Sequence, residues 1–130
     1  MNEKTNDATR NRPGGERIID AAFLRIDLPT YVHQIKQEEA WQKNDHNAIT
    51  VFKTNSMRMV LMALHKNTEI KPHTAEGVMS VQVLEGVIRF NTEEENADVK
   101  AGQVVTLHKG IIYSVYAIEE STFLLTISNV

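Results

Sequence analysis

Apolar residues change their spacing once along the chain, and the change separates a helical stretch from a long run of strands. From Leu28 to about Gln42, Leu28, Tyr31, Val32 and Ile35 recur at helical intervals, while Lys36, Gln37, Glu38 and Glu39 supply a wet side. This pattern predicts a helix over about 28–42. Asp27, with Pro29 just after it, gives the start signal: proline is tolerated in a first turn, where its missing N–H has no helical partner to lose. After Asn44 period two takes over, in short runs rich in Val, Ile, Phe, Met and Leu. The runs are Ile49 to Thr54, Met57 to Leu64, Gly77 to Leu84, Val87 to Phe90, Val99 to Lys100, Gln103 to Leu107, Ile112 to Ile118 and Thr122 to Ile127. Turn residues stand between them, among them Asn55–Ser56, Lys66–Asn67, Glu85–Gly86, Glu94 to Asn96, Ala101–Gly102 and Lys109–Gly110. Short strands at this spacing predict an all-β antiparallel barrel or sandwich over about 48–128.

Residues 1–17 are polar, contain Pro13, Gly14 and Gly15, and offer almost nothing to bury. They are expected to form a flexible arm ahead of one domain spanning 18–130. A length of 130 residues suits a single core. The net charge of -3 and the lack of a Lys/Arg cluster give no field to gather phosphates, so nucleic acid is not expected as a partner. No apolar run is long enough to span a bilayer, and the first seventeen residues hold no secretory-type segment. A cytoplasmic location is the expectation. The absence of cysteine removes disulfides, thiolate ligands and cysteine nucleophiles, and suits a reducing compartment.

Two spacing patterns lie on the strand region. Asn67, His73, Ala75, Met79 and Gly86 fit the order Gly, five residues, His, one, His, three or four, Glu, six, Gly, here with three at the variable gap. Gly102, His108, Gly110, Tyr113 and Ala117 fit Gly, five, Pro, one, Gly, two, His, three, Asn. With these spacings, Met59 to Ile127 resembles a cupin, a small jelly-roll barrel recognised by those two motifs. The resemblance implies a cupin-like jelly-roll antiparallel β-barrel with a short N-terminal helix. It keeps Gly86, Gly102 and Gly110 where turns need positive φ, with Asn67 as the best non-glycine substitute.

In metal-binding cupins the two histidines and the glutamate of the first motif, with the histidine of the second, hold one divalent ion. The matching positions here read His73, Ala75, Met79 and Tyr113. Ala75 has no donor atom, Met79 offers a soft thioether, and Tyr113 could ligate only as a phenolate, with an ordinary pKa of about 10. No metal and no other cofactor is therefore expected. A site rebuilt from His73 with His65, His108 and Glu76 is the competing reading; the bland one makes His65 and His108 partly exposed rim residues. His73 and Tyr113 could also face each other as base and acid, as in similar metal-free sugar epimerases. The bland alternative has Tyr113 filling the metal's space with its hydroxyl bonded to His73.

Period two from Ala75, Met79 and Tyr113 places Val81, Val83, Val115 and Ala117 on the same inward face. With His73 these residues predict an apolar pocket carrying one imidazole and one phenol. The leading expectation is a metal-free, non-catalytic domain that binds a small, mostly apolar ligand, in a sensory or binding role. An enzyme working through His73 and Tyr113, and a structural dimerisation module built on the arm and helix, stay open. The helical stripe with Trp41 is expected to pack over a barrel edge or mouth. The resemblance to cupins, which often dimerise, makes a homodimer the expected assembly.

Overall fold

Alternation along each long strand decides which side chains face the interior, and two of the strands turn out to be covered on both faces. The computed structural model describes residues 4–6 and 17–129. The elements are β1 (Lys4–Asn6), β2 (Arg17–Asp20), α1 (Leu28–Gln37), α2 (Glu39–Lys43), β3 (His46–Lys53), β4 (Met57–Leu64), β5 (Glu69–Thr74), β6 (Val78–Glu85), β7 (Val87–Thr92), β8 (Asn96–Lys100), β9 (Val104–Leu107), β10 (Ile112–Ala117) and β11 (Ser121–Ser128). Two antiparallel sheets face each other, one ordered β3-β4-β11-β6-β9 and the other β5-β10-β7-β8. Their crossing connections make a jelly-roll barrel, as expected. β1 and β2 form a separate antiparallel pair. Arg17 ties that pair to β3 by donating from Nη2 to the Thr50 carbonyl at 2.8 Å. The rest of the expected arm lies outside the described residues.

The inner core takes Met79, Val81 and Val83 from β6, Ile88 and Phe90 from β7, Val115 and Ala117 from β10, and Phe123, Leu125 and Ile127 from β11. A second core lies on the outer face of the five-stranded sheet. There Ile35 and Trp41 of the helices pack on Ile49, Val51, Leu61, Ala63 and Leu124. β4 and β11 therefore lie between two apolar layers, which explains why β4, MRMVLMAL, reads as a nearly continuous apolar run. Each large side chain buried in this way contributes roughly 1.5–3 kcal/mol.

The single helix expected over 28–42 is broken at Glu38, whose backbone is extended (φ −77°, ψ 150°). Asp27 caps α1, its Oδ1 accepting from the Thr30 amide at 3.3 Å. The break has a cause in Asn47, a buried residue of β3. Its Nδ2 donates to the Ile35 carbonyl at 2.9 Å and to Glu38 Oε1 at 2.9 Å. An unbroken helix would pair that carbonyl with residue 39. The break turns Trp41 onto the sheet, where it stacks on His65 with ring centroids 3.5 Å apart. His65 Nε2 donates to the Trp41 carbonyl at 2.7 Å.

β5 was absent from the expected runs because its sequence, EIKPHT, is polar and contains Pro72. It is an edge strand, where a missing N–H faces no neighbour. Among the described residues, positive φ occurs at Asn67 (72°), Gly86 (81°), Gly102 (88°) and Gly110 (89°) and nowhere else. These are the four turn positions of the two spacing patterns.

Gly86 and Gly102 separate two costs of adding a Cβ. At Gly86 it would lie 2.2 Å from the Glu120 carbonyl oxygen, whereas at Gly102 it would meet nothing within 4 Å. Gly102→Ala should cost only the strain of a left-handed residue, about 1–2 kcal/mol. Gly86→Ala should cost at least twice as much, because backbone must also move. Urea unfolding of the two variants checks this, and equal losses would contradict it.

Candidate functional site

One mouth of the barrel is not filled. A cavity of about 240 Å³ lies between the β4, β11 and β6 wall and the β5 and β10 wall. Met62, Ile70, Met79, Val115, Phe123, Leu125 and Ile127 make it mainly apolar, and Arg58, His73, Thr74, Glu76 and Tyr113 add polar groups. The expected pocket thus divides. His73, Met79, Tyr113 and Val115 border the cavity. Ala75, Val81, Val83 and Ala117 are fully buried in the packed part of the barrel.

An irregularity in β5 brings in one lining residue that alternation misses. Tyr113 pairs with His73 and Val115 with Ile70, so β5 carries one residue more than β10 over this stretch. The bulge shifts the phase of the strand, and Ile70 faces inward where period two from His73 would have chosen Lys71.

Tyr113 stands at the centre of the β10 wall. Its ring stacks on Phe90, with centroids 5.4 Å apart and planes 5° from parallel. Burial pushes its phenol above the ordinary value; the Glu76 carboxylate adds to this and the Arg58 guanidinium opposes it. His73 is its cross-strand neighbour, with ring centroids 6.3 Å apart and planes tilted by 42°. The two side chains stand side by side on one wall, not opposite each other, and no hydrogen bond joins them. This corrects both the facing acid–base pair and the His73-bonded hydroxyl. A general acid or base works best with a pKa near the operating pH, and the phenol is displaced the other way.

The remaining candidates do not converge. His65 is held against Trp41 at the outer core, and His108 is exposed in the turn between β9 and β10. Among the described residues, no three of His, Cys, Asp or Glu lie close enough to share a metal ion. The four motif positions also fail as a donor set, since Ala75 is buried and has no ligating atom, Met79 is soft, and the Tyr113 phenol resists ionisation. The residues present do not fit a divalent metal.

Sequence reading missed Arg58. On β4, Met59, Leu61 and Ala63 face the helices, so Arg58, Val60, Met62 and Leu64 face the barrel. The available signal was this alternation, obscured because both faces of β4 are apolar and Arg58 sits next to the Asn55–Ser56 turn. Its Nε is buried and has no hydrogen-bond partner.

Comparison with known structures agrees with this architecture. A conserved protein of unknown function from Streptococcus pyogenes superposes over 96% of both chains, with TM-score 0.65 and 20% identity. A cupin superfamily protein from Desulfitobacterium hafniense covers 65% of this chain and 78% of its own, with TM-score 0.63 and 10% identity. The chain has the cupin fold. A salicylate 1,2-dioxygenase from Pseudaminobacter salicylatoxidans is also similar, over 65% of this chain and 26% of its own, with TM-score 0.59 and 18% identity. No family model and no curated protein matches the sequence. Among the described residues no helix is long and apolar enough to cross a membrane.

The displaced phenol gives a titration with a fixed sign. Because the folded pKa lies above the unfolded value near 10, the associated stability is present below pH 10 and is lost as pH rises through the folded value. In an ultraviolet titration Tyr113 should give a step displaced above the ordinary tyrosine value. Tyr113→Phe should remove that displaced step and flatten the alkaline loss of stability. A displaced step that persists unchanged in the variant would assign the raised phenol elsewhere.

Proposed function

We propose that this cupin-fold chain is a non-catalytic binding domain that holds a small, mostly apolar molecule in the barrel mouth without a metal. The observation that carries this reading is the cavity itself, open between Tyr113, Met79 and Ile127 in a barrel whose other end is packed with Val81, Val83 and Ala117. Space of about 240 Å³ corresponds to roughly eight waters at about 30 Å³ each. It therefore suits a ligand of comparable size, below the common range for drug-sized sites. The side-by-side placement of His73 and Tyr113 supports a binding role over proton transfer between them.

Such a domain senses its ligand by gaining stability when the mouth fills. Assembly as a homodimer belongs to the same proposal, with the exposed apolar side chains Val78, Val104, Ile111 and Ile112 available for self-association. The cysteine-free sequence suits a cytoplasmic setting for it.

A thermal-shift screen of small apolar molecules tests the binding role. A ligand at a hundred times its Kd contributes about 2.7 kcal/mol, which for a domain of this size raises Tm by roughly 8 °C. Ile70→Trp, which places an indole in the cavity from the edge strand β5, should abolish the rise while leaving the unliganded Tm within a few degrees. A ligand response that survives this substitution would place binding elsewhere. Elemental analysis after exposure to Fe, Mn, Ni, Zn and Cu should give less than about a tenth of an equivalent. Near-stoichiometric metal, lost in His73→Ala, would overturn the reading.

A further inference from the structure

A guanidinium on the inward face of a barrel strand is out of place unless something pairs with it. Arg58 lies on β4 opposite Ile127 of β11, at the cavity wall. Among the described residues its side chain makes no hydrogen bond or ion pair, and its Nε is shielded from solvent. Buried polar groups are almost always satisfied, and buried charges are almost always paired. The nearest acidic side chain on the cavity wall is Glu76, which is exposed and not within ion-pair distance of Arg58. The Tyr113 phenol stands within electrostatic reach of both, its ionisation opposed by Glu76 and favoured by Arg58.

We propose that the barrel mouth binds a small monocarboxylate, with the carboxylate on the unpaired Arg58 guanidinium and an aliphatic or aromatic body against Met62, Met79, Phe123 and Ile127. This rests on the binding role proposed above and names its ligand class. Guanidinium is the side chain whose fixed fork matches a carboxylate, and pairing in a poorly hydrated wall is stronger than at the surface. The Tyr113 hydroxyl, neutral at physiological pH, remains available as a second donor. Glu76 sets the charge that is tolerated. One positive and one negative group at the mouth accommodate one anionic group, and a second anion would face the Glu76 carboxylate.

Calorimetry on the full chain with hexanoate and benzoate, their neutral counterparts hexanol and benzyl alcohol, and the dianion adipate tests the proposal. The monocarboxylates should bind roughly ten- to hundredfold more tightly than the neutral compounds, the range expected for a charge-assisted pair. Adipate should bind more weakly than hexanoate. Arg58→Met should erase the preference for carboxylates while retaining the neutral compounds, and Arg58→Lys should restore only part of it. The unliganded Arg58→Met protein should unfold at the same or a higher temperature, because it no longer shields an unbonded guanidinium nitrogen from water. Equal affinity for hexanoate and hexanol, unchanged by Arg58→Met, would overturn the anion assignment and leave the binding role standing. Absence of binding by every compound would overturn both.

Discussion

The pairing of β11 between β4 and β6 is the constraint on which the other features depend. β11 is buried along nearly its whole length, with Phe123, Leu125 and Ile127 inside the barrel and Leu124 under the helices. A shift of one residue would turn Thr122 and Thr126 into the barrel in place of Phe123, Leu125 and Ile127, so the register of β11 is strongly specified. Its register fixes β4, placing Leu124 opposite Leu61 and Ile127 opposite Arg58. It fixes β6 as well, placing Ile127 opposite Met79 and Leu125 opposite Val81. Arg58 therefore faces inward as a consequence of where Leu61 and Leu124 must go.

The backbone requirements of the cupin fold and the side-chain requirements of a metal site are separable, and this chain separates them. Asn67, Gly86, Gly102 and Gly110 adopt positive φ at the motif's turn positions. Asn67 is also held in place, with its amide donating to the Ala117 carbonyl at 2.8 Å and its Oδ1 accepting from the Tyr116 hydroxyl at 2.8 Å. None of these contacts involves the interior. The inward positions are free to change as long as volume and polarity remain tolerable. Ala75 and Met79 join the apolar core, and Tyr113 stacks on Phe90. The phenol, backed by a phenyl ring with a parallel plane, forms part of the cavity wall at a motif position where a coordinated ion would need a donor.

Much of this was legible in the sequence, and what was not has identifiable reasons. The boundaries of Met57 to Leu64 were readable because the run ends in turn residues at both sides, yet its phase was not, because Met59, Leu61 and Ala63 are as apolar as Val60, Met62 and Leu64. Phase is a tertiary property here, set by the helices that cover one face. The strand Glu69–Thr74 escaped because Pro72 and the surrounding polar residues obey the rules of an edge, which resemble those of a loop. The bulge that turns Ile70 inward leaves no local signature. The break at Glu38 comes from Asn47, nine residues away and on another element, so no pattern within the helix could announce it.

The cavity's polarity follows from the same logic of two covered faces. Once β4 is sandwiched, any charged residue on its inward face must either reach solvent, meet a partner or remain unsatisfied. Arg58 has the length to reach the mouth, and its aliphatic stem can cover apolar surface while the head stays near the opening. Its Nε nonetheless lies below the rim, shielded and unbonded. A leucine or methionine at this position would fit the alternation of Val60, Met62 and Leu64 and would avoid the desolvation of a charge, so the apolar packing of the barrel gives no reason for the arginine. What the arginine adds, and what an apolar side chain could not, is one directed positive group at the edge of a mainly apolar chamber. That is the chemistry by which a site of this size distinguishes an acid from the neutral molecule of the same shape.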